Sequence, residues 1–361
     1  MEEKGKKGRM DYTLLLIVVF LVVIGLVILY STSAYNGQVK FHDSFYYLKK
    51  QAFATVLGIV LMLFVAGMDY HIWQRLAVFG YLAAVALSVA VMLFGREING
   101  SKRWLALGPF SFQPSEFAKV ALILFLADLV TKNVKTIGKM WTLCRIMFWI
   151  LPIVGLVGAS NLSTAIIILG IGVILIFVAS PKYAQFALMG IAGACFMGIF
   201  LALESYRLER LAIWRNPEKY EKGYQTLQGL YAIGSGGVFG VGIGNSVQKL
   251  GFVPEAQNDM IFSIICEELG LAGAGIIVFL FLLLIWRFFL IASGSRDLFG
   301  ALIATGAMAH MMIQVILNIA VVTNTIPNTG ITLPFISYGG TSVMFLLIEM
   351  GLVLSVSQVV D

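Results

Sequence analysis

The chain has 361 residues, of which 59% are hydrophobic and only 12% are charged, and its formal net charge is +6. A soluble domain carries about a quarter of its residues as charged side chains, so this composition excludes a soluble globular protein and predicts an integral membrane protein. The basic residues are scattered between apolar runs, as orientation signals and lipid headgroup contacts would be, so the positive charge does not indicate nucleic-acid binding. The three cysteines and three histidines follow no metal-ligand or disulfide spacing.

Ten apolar runs are long enough to cross about 30 Å of hydrocarbon as helices. We therefore predict an all-α membrane protein of about ten transmembrane helices, forming a single polytopic domain over residues 1–361. The boundary between the fifth and sixth runs is the least defined, since only "ASNLS" separates them. The runs are centred near Val22, Leu57, Ala86, Leu124, Pro152, Ile171, Ala192, Ile277, Met311 and Leu347.

An even number of spans places both termini on one side of the membrane. With the termini in the cytoplasm, the inner segments hold more Lys and Arg than the short outer loops, as the positive-inside rule requires. Residues 1–11, "MEEKGKKGRMD", are then a cytoplasmic leader before a retained anchor, because no small-residue cleavage site follows.

Residues 204–258 form a large extracytoplasmic loop on this topology. The charged and aromatic first half is predicted to lie as an amphipathic helix in the membrane interface. The glycine-rich second half lacks the Lys-Ser/Thr pair and the βαβ context of a nucleotide-binding loop. We interpret it instead as a loop that packs closely into the mouth of a cavity.

Two charges lie inside the fourth apolar run, "QPSEFAKVALILFLADLV". Pro114 suits the first turn of a helix, and Glu116 and Lys119 follow at positions i and i+3 on one face. Because charged side chains within the bilayer need a partner or a function, the pair is either a structural ion pair or part of a site in the outer half of this helix.

The segment "PEAQNDMIFSIICEELG", residues 254–270, places Asp259 at the start of the eighth run. A helix from there to about Leu290 would be about 48 Å long, so it must tilt, bend near "GLAGAG" or begin above the lipid. Ser263 and Cys266 share the face of Asp259, whereas Glu268 points the opposite way. We interpret Asp259 as an interfacial carboxylate, and Glu267, Glu268 and Glu349 as internal hydrogen-bonding or packing groups.

Two further segments that lie outside the membrane on this topology have an unusual composition. "NGSKRWLALGPFSFQPSE" sets Lys102 and Arg103 beside Trp104, as an interfacial re-entrant stretch offering cations would. "NTIPNTGITLPFISYGGTS" is rich in Pro, Gly, Thr and Ser, and irregular backbone at membrane depth is tolerated only when it is buried or lines a cavity. Together with Asp259, these segments predict an outer cavity for a polar, anionic and lipid-linked substrate.

Three segments resemble the SEDS family (shape, elongation, division and sporulation), the FtsW, RodA and SpoVE type of peptidoglycan glycosyltransferase. They are "NGSKRWLALGPFSFQPSEFAK", "GYQTLQGLYAIGSGGVFGVGIGNSVQKLGFVPEAQNDMIFSIICEELG" and "PNTGITLPFISYGGTS". With the ten-span profile, the resemblance covers nearly the whole chain. The run "GNSVQK" followed by "PEA" is more similar to FtsW and SpoVE, which favours division or sporulation over elongation.

This chain also departs from the family pattern. It reads "SNLSTA" at residues 160–165, where the family often has an Asp-containing "PDLGT" stretch, so no role follows for Asn161. Around the key acid it reads Asn258-Asp259-Met260 instead of Thr-Asp-Phe. The acid itself is kept.

The resemblance implies that the protein polymerises lipid II on the outer leaflet. The 4-hydroxyl of one disaccharide would attack the anomeric carbon of another, and undecaprenyl diphosphate would leave, in a single inverting displacement. On this basis Asp259 is the general base. The leaving diphosphate would be stabilised by Arg103, Lys119 or a bound divalent cation such as Mg or Mn, for which no ligands are predicted. The remaining candidates for binding substrate are Lys102, Glu116 (which would orient Lys119), Gln225, Ser337 and Tyr338.

The resemblance also implies a partner, a class B penicillin-binding protein with transpeptidase activity, together with other division proteins, membrane lipids and a place at the septum of the bacterial cytoplasmic membrane. Two rival functions remain open: a flippase that moves lipid II across the bilayer, and a non-catalytic scaffold that recruits the penicillin-binding protein. Against transport, the charges gather toward the outer face and no internal repeat is evident.

Overall fold

Long apolar helices make up most of the chain in the computed structural model, which describes residues 8–98, 101–107, 110–187, 190 and 211–360. Eight of the described helices are long and apolar enough to cross a membrane, which confirms a multi-pass membrane protein. The predicted seventh span, near Ala192, lies outside the described residues. The helices are α1 (Tyr12–Phe41), α2 (Tyr46–Gly67), α3 (His71–Phe94), α4 (Pro114–Asn133), α5 (Met140–Ser160), α6 (Leu162–Ala179), α7 (Tyr224–Ser235), α8 (Ile261–Gly294), α9 (Leu298–Val322) and α10 (Gly340–Ser357).

Side-chain contacts define the two ends of the helix bundle. At one end, called the Asp259 end below, Gln51 at the start of α2 donates to the Ser337 carbonyl, and Ser163 at the start of α6 donates to that of Thr329. At the other end, Arg287 pairs with Asp11, the residue that caps α1. The first and last described segments meet at this second end, because the Gly8 N–H donates to the Gln358 carbonyl at 2.7 Å.

Helix α8 is broken at Gly270, whose φ of 67° and ψ of −169° are open to glycine and strained for other residues. The glycine-rich loop lies in the break. The N–H groups of Val241 and Gly242 donate to the Glu267 and Glu268 carbonyls, each at 2.9 Å. Beyond the break, the Leu271 N–H donates to the Gly237 carbonyl at 2.9 Å. Of the three options that the sequence left open for this long helix, a bend near "GLAGAG" is therefore present. The loop satisfies backbone groups that a broken helix leaves open.

The glycine-rich half of the long connection packs closely on α8, whereas the sequence interpretation placed this close packing at the mouth of a cavity. Helix α7 starts beside Asp259 and runs along the first part of α8, where Gly229 faces Met260 and a Cβ at Gly236 would lie 1.8 Å from the Cys266 carbonyl oxygen. Helix α7 thus runs about 15 Å away from Asp259, at 1.5 Å per residue, before the chain turns back. This close approach explains why glycines recur there.

A three-stranded antiparallel sheet precedes α4, formed by β1 (Arg96–Ile98), β2 (Ser101–Leu107) and β3 (Phe110–Phe112) in the order β1-β2-β3. The segment predicted to be an interfacial re-entrant stretch thus forms regular strands, which the predicted all-α class did not include. In the sequence, Asn-Gly and Gly-Pro dipeptides at 99–100 and 108–109 are of types that favour turns, and they were the available signal for a sheet. The predicted all-α class is otherwise confirmed.

Candidate active site

Asp259 lies in the turn that leads into α8, and the residue is half-buried. The side chain of Gln225, on α7, donates to Asp259 Oδ1 at 3.4 Å. On the other side, a Cβ added to Gly330 would lie 3.9 Å from Asp259 Oδ2. The carboxylate is therefore held between α7 and the loop of residues 323–339.

Burial raises the pKa of Asp259 to about 6, and the negative charge of Glu255 acts in the same direction. Backbone hydrogen bonds and Gln225 oppose this rise but do not cancel it. At neutral pH the carboxylate is mostly ionised, yet it retains more affinity for a proton than an ordinary Asp. A general base is most effective when its pKa lies near the operating pH.

Gln225 and the loop of residues 323–339 are tied to each other as well as to Asp259. Gln225 accepts a hydrogen bond from Asn328 at 3.2 Å and donates to the Pro254 carbonyl at 3.2 Å. Of the weaker candidates from the sequence, Gln225 is thus in direct contact with the carboxylate.

Ser337 and Tyr338 hold the loop in place. The buried Ser337 hydroxyl accepts a hydrogen bond from the Leu333 N–H at 2.8 Å, and the Tyr338 N–H donates to the Gln257 carbonyl at 2.9 Å. The Tyr338 ring packs edge-on against Tyr47 at 4.9 Å. Burial raises the pKa of Tyr338 to about 12, so its phenol is neutral at physiological pH.

The two cations on β2 lie at the same end of the bundle. Arg103 is half-buried and its Nε donates to the Ser160 carbonyl at 3.1 Å, at the junction of α5 and α6. Lys102 is exposed. In the first turn of α6, Ser163 Oγ donates to the Thr329 carbonyl at 2.7 Å, and Thr329 belongs to the loop beside Asp259. Arg103 thus lies at the junction of α5 and α6, which also contacts the loop beside Asp259.

Glu116 and Lys119 form the predicted ion pair, with Lys119 Nζ 3.1 Å from Glu116 Oε1. Their side chains are only 8% and 2% exposed, so the pair is enclosed by the bundle. Lys119 also contacts Gln314 Oε1 at 3.3 Å, and Glu116 accepts from Ser342 at 2.8 Å. The polar network continues from Gln314 through His310 to Glu349, so Glu349 is an internal hydrogen-bonding group as predicted.

Replacing Lys119 by Met is expected to destabilise the protein by about 3–5 kcal/mol, because Glu116 would remain buried without its counter-charge. The double variant Glu116→Gln/Lys119→Met should lose less, since no buried charge is left alone. Thermal unfolding of the three proteins in the same detergent measures this. A double variant that unfolds at a lower temperature than Lys119→Met would contradict it.

Glu267 and Glu268 hold the returning glycine-rich loop, as predicted for internal groups. Glu267 Oε1 accepts from the Val247 N–H at 3.0 Å, and Glu268 accepts from Ser31 on α1 at 2.7 Å. Lys249, which the sequence interpretation missed, is buried and lies 2.5 Å from Glu268. The sequence feature that could have identified Lys249 is its position at the end of the run "GNSVQK".

Within residues 8–98, 101–107, 110–187, 190 and 211–360, no three His, Cys, Asp or Glu side chains lie close enough together to hold a metal ion. The described part of the chain therefore offers no group of three such side chains for the divalent cation that the resemblance allows.

The chain matches the family model of the cell cycle proteins FtsW, RodA and SpoVE over residues 12–361. It belongs to this family. Stage V sporulation protein E of Bacillus subtilis is 39% identical over 98% of both chains. A probable peptidoglycan glycosyltransferase FtsW of Trichlorobacter lovleyi is 35% identical over 96% of this chain and 93% of its own. The SEDS resemblance seen in the sequence is thus confirmed.

Solved structures show the same fold for this FtsW/RodA/SpoVE family member. A chain from a peptidoglycan synthase complex, described for its structural coordination of polymerization and crosslinking, matches with a TM-score of 0.82 and 30% identity, covering 96% of this chain and 97% of that one. The rod shape determining protein RodA of Thermus thermophilus matches with a TM-score of 0.72 and 28% identity, covering 96% of each chain.

Proposed function

We propose that the protein is a peptidoglycan glycosyltransferase that polymerises lipid II into glycan strands on the outer face of the bacterial cytoplasmic membrane, in division or sporulation. The observation that carries this proposal is the half-buried Asp259, whose pKa is raised to about 6, at the end of the bundle where α7 and the loop of residues 323–339 meet. The names of the relatives, peptidoglycan glycosyltransferase FtsW among them, support the same reaction class.

In this mechanism Asp259 takes the proton from the 4-hydroxyl of the acceptor disaccharide as that oxygen attacks the anomeric carbon of the donor. The new C–O bond forms as the bond to undecaprenyl diphosphate breaks, so the α-linked donor becomes a β-linked polymer in one inversion. The diphosphate is already a good leaving group and needs no second carboxylic acid. A single base therefore suffices.

The leaving diphosphate needs positive charge. Arg103 and Lys102, on β2 at the Asp259 end, are proposed to supply it. Lys119 is proposed as a cavity cation that holds neighbouring side chains in place, since its ammonium group contacts Glu116 and Gln314. A divalent cation such as Mg or Mn would supply the same charge neutralisation, and its ligands stay unassigned.

Gln225 is proposed to orient the Asp259 carboxylate, because its amide contacts Oδ1 and is itself held by Asn328. Ser337 and Tyr338 are proposed to act through the loop of residues 323–339, where they hold backbone and ring positions.

The topology proposed with this function has both termini and residues 1–11 in the cytoplasm, and residues 204–258 outside. The proposed partner is a class B penicillin-binding protein transpeptidase, with other division proteins at the septum. The match to a chain of a peptidoglycan synthase complex supports such a pairing.

The test is to purify the protein with that partner, supply lipid II in detergent, and look for glycan polymer. The same preparation in sealed vesicles is assayed for movement of lipid II between leaflets, with protein-free vesicles as the control. Polymer in detergent is the expected result. Movement of lipid II without polymer would instead favour the flippase, and neither activity would favour the scaffold.

A further inference from the structure

We propose that Asn318 is a positioning residue for Asp259, an inference that rests on the function proposed above. Its side-chain amide joins the backbone of Asp259 to the backbone of the loop that faces the Asp259 carboxylate.

Asn318 lies in the last two turns of α9 and is fully buried. Its Nδ2 donates to two backbone carbonyls, that of Asp259 at 2.8 Å and that of Ile331 at 2.7 Å. Ile331 follows Gly330, the residue beside Asp259 Oδ2. One NH₂ group thus fixes the backbone of the proposed base and the backbone that faces its carboxylate.

The position of the Asn318 side chain requires a hydrogen-bond donor. Both N–H groups of the amide are used, while Asn318 Oδ1 is buried with no hydrogen-bond partner among the described residues. An unpaired buried acceptor costs free energy, so the orientation is maintained by the two donated bonds. An aspartate has the same shape but presents only acceptors when ionised, and it would face two carbonyl oxygens.

Gln314, one turn earlier on α9, makes a related contact. Its Nε2 donates to the Thr332 carbonyl at 3.0 Å, while its Oε1 faces His310 and Lys119. The two amides thereby hold consecutive carbonyls of the loop of residues 323–339. Of the two, Asn318 is the one that also reaches Asp259, so its loss should affect the base and not only the loop.

Displacement of a catalytic group by about 1 Å can reduce the rate by about 100-fold. Because Asn318 contacts backbone and not the reacting atoms, its loss should reduce kcat for lipid II polymerisation while the KM changes little.

The experiment compares Asn318→Asp and Asn318→Ala with the parent, each purified with its partner and assayed on lipid II. The matched control is Gln358→Ala, which removes another amide-to-carbonyl hydrogen bond, from Gln358 Nε2 to the Ala66 oxygen at 2.7 Å, at the opposite end of the bundle. Size-exclusion profiles and thermal unfolding establish that each protein is folded. If Asn318→Asp does not fold, the comparison with the parent is made with Asn318→Ala.

We expect both Asn318 variants to lose at least about tenfold in kcat with KM within about twofold of the parent, as displacement of the base implies. In both variants the acidic limb of the pH–kcat profile should also move to higher pH, because displacing the Asp259 backbone weakens the backbone hydrogen bonds that lower the pKa of this carboxyl group. Gln358→Ala should leave both kcat and the acidic limb of the pH–kcat profile unchanged.

Folded Asn318 variants with kcat and the acidic limb of the parent would overturn the inference while leaving the proposed function intact. A kcat loss matched by Gln358→Ala would also overturn it, because it would reflect stability alone. Retained polymerisation by an Asp259 variant is a separate result, and it would remove the proposed base and this inference together.

Discussion

Replacing Asp259 by Asn is expected to reduce kcat for glycan polymerisation by about 10²–10⁴-fold, the usual contribution of a general base. Asparagine keeps the shape of the side chain and can still contact Gln225, but it cannot accept the proton of the attacking hydroxyl. Because the site keeps its packing, the thermal unfolding temperature should stay close to that of the parent. The measurement is the initial rate of polymer formation from lipid II by the purified protein with its partner.

Glu255→Gln is the matched control, since Glu255 is the other carboxylate of the same turn. It should keep most of the activity. The charge of Glu255 raises the pKa of Asp259, so removing that charge lowers this pKa and moves the acidic limb of activity to lower pH. Asp259→Asn with the activity of the parent would contradict the proposed role of the base.

The second large effect is expected at Gly270. A Cβ there would lie 2.3 Å from the Gly240 nitrogen and 2.5 Å from the Val238 carbonyl oxygen, at a φ of 67°. Gly270→Ala must therefore displace the glycine-rich loop and adopt a strained backbone, at a cost of about 3 kcal/mol or more in the free energy of unfolding. Thermal unfolding in detergent should show a clearly lower midpoint.

Gly275→Ala is the control on the same helix. A Cβ at Gly275 meets nothing within 4 Å, and alanine is the better helix former by about 1 kcal/mol. This variant should be as stable as the parent or slightly more stable. If both variants unfold at the same temperature, the break at Gly270 does not depend on glycine.

Features that depend on local spacing were predictable from the sequence. The length of an apolar run identifies a span because the bilayer thickness is fixed. The excess length of the eighth run left a tilt, a bend or a start above the lipid as options, and the structure shows a break at Gly270. The pairing of Glu116 with Lys119 followed from their separation of three residues on a helix.

Features that depend on contacts between distant segments were not predictable in this way. Lys249 meets Ser31 across 218 positions, and Asn318 meets Asp259 across 59. Periodicity within one helix shows which face a residue occupies, but not which loop will meet that face. For the same reason, the enclosure of Lys119 by Gln314 was not evident when Lys119 was considered as a diphosphate ligand.

The small sheet before α4 was missed for a different reason. Its strands span only three to seven residues, too few for an alternating pattern to stand out beside long apolar helices. The cations that it carries were identified from their residue types, although the structure around them was not.

The central claim, that Asp259 is the base, is tested most directly by the pH dependence of polymer formation from lipid II by the parent and by Asp259→Asn. In the parent, the rate should fall as the pH drops through about 6, where the carboxylate takes up a proton. The residual rate of Asp259→Asn should not change over the same range. An acidic limb that persists unchanged in Asp259→Asn would show that another group titrates in the reaction, and would contradict the mechanism.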